Sequence, residues 1–342
     1  LNEKMILLDS VYINDGGGLV LLKYLIEKLK DSELDVFYLF DDRVKSSYEN
    51  DVSLRDKIFI KNTIKERKNF YLKNKERFKT VLCFGNVPPP IKLNIPVYVY
   101  FHQPLFLKIP TEFSIKNKVV YKIKQLVLNH YKNHATTWLV QSKFIQESFA
   151  AKYLGGNTTN VKVLPFYPPL ASIQDDVFRH KSSFIYISNT SPHKNHIKLI
   201  EAFCKAFDKL KVGSLSITVP PHAVEICALV NEKRSKGYPI KNLGFMAREK
   251  LPEIYFSHEF LIFPSLAESF GLGLAEAIDG GCKVIAADLP YTYQVCNPSL
   301  TFNPYSIESI ESAIIKSVTQ ELPESNKIIT NDINQLILLL SE

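Results

Sequence analysis

The stretch that decides the fold is Phe263-Pro264-Ser265-Leu266-Ala267-Glu268-Ser269-Phe270-Gly271-Leu272-Gly273-Leu274-Ala275-Glu276-Ala277. It begins at the end of an apolar run, Leu261 to Phe263, which Pro264 interrupts, as expected for a buried strand. A second apolar segment follows with the spacing of a helix. A buried strand, a short loop and a helix in this order are the repeating unit of a parallel α/β sheet.

The start of that helix is a predicted ligand site. Ser269 is a good N-cap residue, so the backbone amides of Phe270, Gly271 and Leu272 are expected to be free and to face a cleft. A helix start favours an anionic or oxygen-rich ligand. The glycines at 271 and 273 would let a ligand approach the backbone closely.

Two carboxylates flank this helix start. Glu268 lies in the loop, and Glu276 lies about two turns inside the helix, so they would reach different parts of one extended ligand. A solvated helix with two surface glutamates is the plainer interpretation. It does not explain two helix-disfavouring glycines within an apolar segment.

Glu268 and Glu276, set around Ser-Phe-Gly after Phe-Pro-Ser, resemble the E-x7-E signature of the family 4 retaining glycosyltransferases. The resemblance implies the GT-B fold, with two Rossmann-like doubly wound domains facing a cleft. It also implies that Glu268 contacts the hydroxyls of the transferred sugar, that Glu276 holds the nucleotide ribose, and that transfer retains the anomeric configuration.

A second match lies in Ser188-Asn189-Thr190-Ser191-Pro192-His193-Lys194-Asn195-His196, directly after a predicted strand. Lys194 would place an ammonium on the donor diphosphate and offset charge on the leaving group. The family usually has an Arg five residues before the Lys, where this chain has Asn189. Either Lys194 acts alone with helix amides, or another basic residue contributes, with Arg248 as the candidate.

Outward from these motifs, strands and helices alternate twice along the 342 residues, on either side of Pro165-Phe166-Tyr167-Pro168-Pro169. Three prolines in five residues interrupt regular structure. We therefore predict an acceptor-binding Rossmann-like domain at 1–165, a nucleotide-sugar-binding Rossmann-like domain at 166–320, and a last helix in 321–342 that packs back on the first domain.

The first domain contributes two candidate features. Gly16, Gly17 and Gly18 follow the first strand, where backbone amides could approach a phosphate or sugar, although the G-x-G-x-x-G spacing of a dinucleotide site is absent. His102, after the strand Val97 to Phe101, matches the family's acceptor-domain His; we predict a contact to donor sugar or acceptor, not an essential base.

The segment Asn242-Leu243-Gly244-Phe245-Met246 resembles the family's loop around the nucleobase of the donor. Phe245 and Met246 are the candidate base contacts, although they could equally be core residues. No His, Asp or Glu cluster has metal-ligand spacing, and no Asp-x-Asp motif is present. The resemblance therefore implies a metal-independent enzyme without a cofactor, whose donor substrate is a nucleotide diphosphate sugar, with UDP favoured over GDP.

Charge is unevenly spread. Residues 1–180 hold 27 Lys and Arg against 18 Asp and Glu, whereas the remainder holds 15 against 17. Ten basic residues lie between Arg55 and Lys79, and seven lysines between Lys108 and Lys143, with aromatics among them. This pattern predicts docking on an anionic membrane and a glycan or polyprenyl-diphosphate-linked acceptor. Nucleic acid is not expected, because no nucleic-acid module is present.

The sequence predicts a cytoplasmic protein, peripheral on the inner face of the cytoplasmic membrane. No apolar stretch approaches the roughly 20 residues of a membrane span, no cleavable signal pattern is present, and the five scattered cysteines indicate a reducing compartment. The predicted function is sugar transfer in bacterial surface polysaccharide synthesis (O-antigen or capsule). The alternatives are a GT-B nucleotide-sugar epimerase and a catalytically idle GT-B binding or scaffold protein.

Overall fold

The computed structural model describes residues 4–111, 113–171 and 178–342. Contacts divide the chain into two compact units. The first comprises residues up to Ile109, Ser114–Pro168 and Thr330–Glu342; the second comprises Pro110–Phe113 and Pro169–Ile329. The chain passes from one to the other between Pro168 and Pro169, inside the proline-rich segment.

The first unit contains a parallel sheet in which all seven strands pair in the order β3-β2-β1-β4-β5-β6-β7. In the register of its centre, Leu8 of β1 lies opposite Leu82 of β4. The strands are β1 (Met5–Asp9), β2 (Val36–Asp41), β3 (Lys57–Ile60), β4 (Phe78–Cys83), β5 (Val97–Phe101), β6 (Thr137–Val140) and β7 (Val161–Val163).

Helices connect these strands: α1 (Gly16–Lys30), α2 (Lys45–Tyr48), α3 (Ile64–Asn74), α4 (Ile115–Tyr131) and α5 (Lys143–Tyr153). Every residue of β2 is buried, as is typical of a parallel sheet covered on both faces. Aromatic side chains fill much of the core; for example, the ring of Phe37 meets that of Phe78 at 5.6 Å.

A buried polar network lies inside this core. The Arg67 guanidinium is 2% exposed and pairs with Asp9 at 2.7 Å (Nε to Oδ2). Arg67 also donates to the backbone oxygens of Pro88 and Val87, each at 2.8 Å, and the Tyr71 hydroxyl donates to Asp9 at 2.6 Å. Arg67 is one of the ten basic residues between Arg55 and Lys79 that were predicted to face a membrane. For Arg67 this prediction was wrong, because α3 turns its side chain inward onto a buried carboxylate.

The second unit contains a six-stranded parallel sheet in the order β10-β9-β8-β11-β12-β14. Ile262 of β11 lies opposite Ile285 of β12. Its strands are β8 (His180–Tyr186), β9 (Ser214–Ile217), β10 (Ile240–Asn242), β11 (His258–Phe263), β12 (Lys283–Ala287) and β14 (Leu300–Phe302), and a separate antiparallel pair joins β13 (Cys296–Asn297) to β15 (Asn326–Lys327).

The helices of the second unit are α6 (His196–Leu210), α7 (Val224–Ser235), α8 (Leu251–Ser257), α9 (Leu272–Asp279), α10 (Thr292–Val295) and α11 (Ile307–Thr319). Each sheet has the doubly wound order, in which the first strand of the unit lies at the point where the strand order reverses. The predicted fold class, two Rossmann-like α/β domains, is confirmed.

The last helix, α12 (Ile333–Ser341), belongs to the first unit, where it packs against α1. Its buried residues are Ile333, Leu336 and Leu340. The turn before it is fixed by Asn331, whose amide donates to the Tyr24 hydroxyl at 3.2 Å and to the Tyr167 backbone oxygen at 2.8 Å.

Candidate active site

The candidate donor site lies in the second unit, at the switch point of its sheet. Strands β8 and β11 are neighbours in the sheet. From β8 the chain continues to β9 on one side, and from β11 it continues to β12 on the other side, so the strand order reverses between β8 and β11. The loops that follow their carboxyl ends, 187–195 and 264–271, therefore border the crevice in which doubly wound sheets bind ligands.

These two loops bring Lys194 and Glu268 together. The Lys194 ammonium (Nζ) contacts Oε1 of Glu268, and the two side chains are only 13% and 14% exposed. The backbone holds the arrangement, because the Leu266 amide donates to the His193 oxygen at 2.8 Å and the Tyr186 hydroxyl donates to the Lys194 oxygen at 2.9 Å. Lys194 and Glu268, both predicted to contact the donor, thus form one half-buried ion pair.

Asn195 connects the loops, a role that sequence reasoning missed. It adopts the left-handed conformation (φ 63°) directly before α6, and its amide donates to the backbone oxygens of Pro264 (3.2 Å) and Pro304 (2.8 Å). The available signal was an Asn before a helix, since Asn tolerates this conformation better than most residues.

Asn189 stands where the family usually has an Arg. Its side chain is exposed, and its Oδ1 accepts a hydrogen bond from the Ser191 amide at 3.1 Å. This bond shapes the turn that leads to Lys194, as Asn commonly does two residues ahead. The donor-binding role of Asn189 stays a prediction.

Glu276 lies on α9 and is 4% exposed. Its Oε1 contacts the Arg248 guanidinium, and the Tyr255 hydroxyl donates to its Oε2 at 3.5 Å. Burial raises the pKa of the Glu276 carboxyl, whereas the Arg248 guanidinium acts in the opposite direction and favours the ionised form. Arg248, the candidate for the missing cation, therefore lies at the second glutamate.

The start of α9 differs from the prediction. The helix begins at Leu272 and its N-cap is Gly271 in the left-handed conformation (φ 71°), without a side-chain cap, so the assignment of Ser269 as N-cap was wrong. The physical reason is that the backbone at Gly271 has a left-handed conformation, so the helix does not extend back to Ser269. The Phe270 side chain between them is buried (5% exposed). The first helical amides, those of Leu272 and Gly273, still lack acceptors within the helix.

Gly273 has a packing role. A Cβ at this position would lie 3.3 Å from Cε2 of Phe263 and 3.6 Å from the Tyr255 hydroxyl. The glycine therefore lets α9 approach β11 closely and sets the distance between Glu276 and the end of that strand.

The candidate base contacts lie on the loop after β10. Phe245 is 86% exposed and is therefore not a core residue, whereas Met246 is half-buried. Asn242 fixes the loop, because its amide donates to the Val219 oxygen at 3.0 Å and its Oδ1 accepts from the Gly244 amide at 2.9 Å.

Two histidines next to Lys194 add no charge to the site. Burial, together with the Lys194 ammonium, lowers the pKa of both His193 and His196 to about 4. Both imidazoles are therefore neutral at pH 7, and Lys194 supplies the positive charge of this loop.

In the first unit, the glycines are placed differently from the prediction. Gly16, Gly17 and Gly18 form the first turn of α1 rather than a loop before it. A Cβ on Gly18 would lie 3.0 Å from Cε1 of His102. The glycine thus makes room for the imidazole, and the helix start and His102 lie side by side.

His102 is held in a defined state. Its backbone amide donates to Oδ1 of Asn86 at 2.7 Å, and its Nε2 lies 2.9 Å from the Phe84 backbone oxygen. Nε2 must carry the proton to donate to that oxygen, so Nδ1 is the acceptor of the ring. Burial lowers the pKa of His102 to about 4, so the ring is neutral at pH 7. It can accept a hydroxyl hydrogen bond but carries no charge.

Within residues 4–111, 113–171 and 178–342, no group of three or more His, Cys, Asp or Glu side chains could hold a metal ion. In the same part of the chain, no helix has the length and apolar character needed to cross a membrane.

Comparison with known proteins relates part of this chain to a family. Residues 174–335 match the family model of the glycosyl transferases group 1. The O-antigen chain mannosyltransferase B of Escherichia coli is 25% identical over 141 residues, which cover 40% of this chain and 37% of the relative. The chain thus matches well under half the length of that protein.

Solved structures share the fold. The Anabaena protein HepE, in complex with UDP and glucose, has 15% identity and a TM-score of 0.64, with 92% of this chain and 89% of that chain covered. The lipopolysaccharide outer core galactosyltransferase WaaB, in its apo form, has 14% identity and a TM-score of 0.66, with 99% and 95% covered. At these identities the likeness shows the fold alone.

The family match covers most of the second unit, including the loops that hold Lys194 and Glu268. Both units have the Rossmann-like architecture of the GT-B glycosyltransferases. The predicted enzyme class, a glycosyltransferase, is confirmed at this level, because residues 174–335 match the glycosyl transferases group 1 and the Escherichia coli relative is a mannosyltransferase.

Proposed function

We propose that the protein is a retaining glycosyltransferase that moves a sugar from a nucleotide diphosphate donor to a glycan or lipid-linked acceptor in the synthesis of a bacterial surface polysaccharide. The observation that carries this proposal is the ion pair of Lys194 and Glu268 at the switch point of the second sheet. The O-antigen and lipopolysaccharide activities named for two similar proteins support the pathway class.

Lys194 and Glu268 have complementary roles in the proposed reaction. Without donor, they neutralise each other in a half-buried position. A bound diphosphate would take over the ammonium of Lys194, which stabilises the negative charge that develops on the leaving group. Glu268 would then accept hydrogen bonds from hydroxyls of the sugar and orient it.

The nucleoside would lie further along the same crevice. Glu276 would bind the ribose and Phe245 with Met246 the base; an exposed aromatic ring is suited to stacking on a base. Backbone amides at Gly271 and Leu272, with Ser269 and Phe270 before them, would face the diphosphate. On the first unit, the helix start at Gly16, Gly17 and Gly18 and the neutral imidazole of His102 would contact donor sugar or acceptor.

Retention of configuration would follow from attack on the face that the leaving group departs from. The acceptor oxygen bonds to the anomeric carbon as the bond to the phosphate oxygen breaks, and the leaving phosphate takes the acceptor proton. His102, neutral and held by the Phe84 backbone oxygen, would position a hydroxyl without accepting that proton. Lys194 and backbone amides would offset the charge of the diphosphate without a bound metal ion.

We favour UDP over GDP as the nucleotide, and the UDP bound in the Anabaena neighbour supports this choice. The test is a thermal-shift screen against UDP, GDP, ADP and CMP with and without EDTA, followed by incubation with the matching nucleotide sugars. We expect one diphosphate to raise the melting temperature irrespective of EDTA, and the anomeric proton signal of the product to have the configuration of the donor.

The alternatives give different results in this test. An epimerase would convert the donor sugar without acceptor, and an idle scaffold would bind nucleotide without consuming the donor. An inverted product would contradict the retaining route, and stabilisation that disappears in EDTA would contradict metal independence.

A prediction concerns Glu276. Glu276→Gln should weaken binding of the nucleoside diphosphate by about tenfold, because a ribose hydroxyl loses a charged hydrogen-bond acceptor. Isothermal titration calorimetry measures this directly. Glu225→Gln, which changes an exposed glutamate on α7 of the same unit, is the control and should leave the affinity unchanged. Equal affinity of Glu276→Gln and the unsubstituted protein would rule out the ribose contact.

A further inference from the structure

Helix α4 turns apolar side chains toward solvent. Four of its apolar residues are more than half exposed: Ile115 (82%), Val119 (52%), Ile123 (56%) and Leu126 (60%). Isolated exposed apolar residues are normal on a protein surface, but several on one helix form a patch of the kind that marks an interaction site.

The four residues form one continuous stripe. At about 100° per residue, the steps of four, four and three residues place them within an arc of about 80°. The buried residues of the helix, Gln125 and Leu128, lie on the opposite side, where the Gln125 amide donates to the Leu105 backbone oxygen at 3.3 Å. The helix is therefore attached through its narrower, partly polar side, and its apolar stripe is left uncovered.

Positive charge borders the stripe. Lys116 and Lys122, both exposed, lie just beyond its two edges at about 100° and −20° on the same scale. The sequence of α4, Ile115 to Tyr131, contains four lysines and no Asp or Glu. An apolar stripe between lysines has the chemistry of a helix that lies in the interface of a membrane, with the side chains of the stripe among the acyl chains.

We propose that α4 is the membrane-docking element of this protein and that its occupant is an anionic lipid leaflet. The apolar stripe Ile115, Val119, Ile123 and Leu126 inserts below the headgroups, and Lys116 and Lys122 pair with the lipid phosphates. The inference rests on the lipid-linked acceptor of the proposed function, and it assigns the membrane docking predicted from the charge pattern to one helix.

A second copy of the chain is a weaker fit. A two-fold contact between two α4 helices would bring their lysines together, with no carboxylate on either helix to neutralise them, whereas like charges across an interface oppose association. The lipid phosphates of an anionic leaflet supply the missing negative charge.

The test uses the full chain and sedimentation with vesicles of phosphatidylcholine alone or of equal parts phosphatidylcholine and phosphatidylglycerol. We expect the unsubstituted protein to bind the anionic vesicles, and Val119→Gln/Ile123→Gln/Leu126→Gln to bind them at least about tenfold less. The matched control, Val52→Gln/Val212→Gln/Val224→Gln, changes exposed apolar residues elsewhere and should bind like the unsubstituted protein. Lys116→Gln/Lys122→Gln should reduce the preference for anionic over neutral vesicles.

Equal binding by the α4 variant and the control would overturn the proposal. So would light scattering that finds the unsubstituted protein dimeric and the α4 variant monomeric, because the stripe would then be covered by a second copy. Circular dichroism verifies that the variants are folded. Donor consumption in solution, without vesicles, tests the transferase activity separately: its absence would contradict the proposed function, whereas vesicle binding reports on α4.

Discussion

Replacing Glu268 with Gln should lower the rate of sugar transfer by about 100-fold or more, the largest effect on activity that we expect from a single substitution. The amide has the size of the carboxylate but not its charge, so it neither balances Lys194 in the empty site nor accepts strong hydrogen bonds from the sugar. The measurement is kcat/KM for release of the nucleoside diphosphate in the presence of acceptor.

The matched control for this experiment is Glu225→Gln, an exposed position on α7 of the same unit, which should leave activity unchanged. Lys194→Met and the double variant complete a cycle. Because the two side chains contact each other, their effects should not add. Wild-type activity of Glu268→Gln would show that the catalytic site has been placed wrongly.

Replacing Arg67 with Leu should destabilise the first unit by about 3–5 kcal/mol, because it leaves the buried carboxylate of Asp9 without its charge partner. The backbone oxygens of Val87 and Pro88 also lose their donor. Urea unfolding followed by tryptophan fluorescence measures this change, since the single tryptophan, Trp138, is buried in the same unit.

Two further variants separate charge burial from a general effect of losing an arginine. Arg55→Leu removes an exposed arginine from the same basic run and should change the free energy of unfolding by less than about 0.5 kcal/mol. Asp9→Leu/Arg67→Leu removes both charges and should recover part of the loss. If Arg67→Leu were as stable as Arg55→Leu, the ion pair would have no structural importance.

The fold was predictable because its strands are short apolar runs separated by helices with clear periodicity. Leu261 to Phe263 and Val97 to Phe101 are examples, each ending at a residue that breaks the run. The segment from Lys57 to Asn74 was interpreted only as a basic surface. It forms β3 and α3. In α3 the charged residues outnumber the apolar ones, and composition cannot reveal that one of them, Arg67, is buried.

Those parts of the candidate site that depend on the order of the strands were predictable from the sequence, whereas contacts that depend on tertiary packing were not. Lys194 and Glu268 each follow a strand, so strand order alone brings them to one crevice. The pairing of Glu276 with Arg248 joins residues 28 positions apart, through the packing of α9 beside the loop before α8, and no spacing rule encodes it. Likewise, the lysines between Lys108 and Lys143 predicted membrane docking, but only tertiary packing decides which side of α4 is covered.

The return of the last helix to the first unit has a practical consequence for work with fragments. Residues 1–168 expressed alone would lack α12, whose buried residues are Ile333, Leu336 and Leu340. The apolar surface of α1 against which α12 packs would then be exposed to solvent and would favour aggregation. A stop codon before Thr330 would therefore destabilise the first unit, although residues 1–168 would all be present. The second unit, which carries Lys194 and Glu268, would keep all of its residues. We therefore expect it to bind nucleotide even when the first unit does not fold.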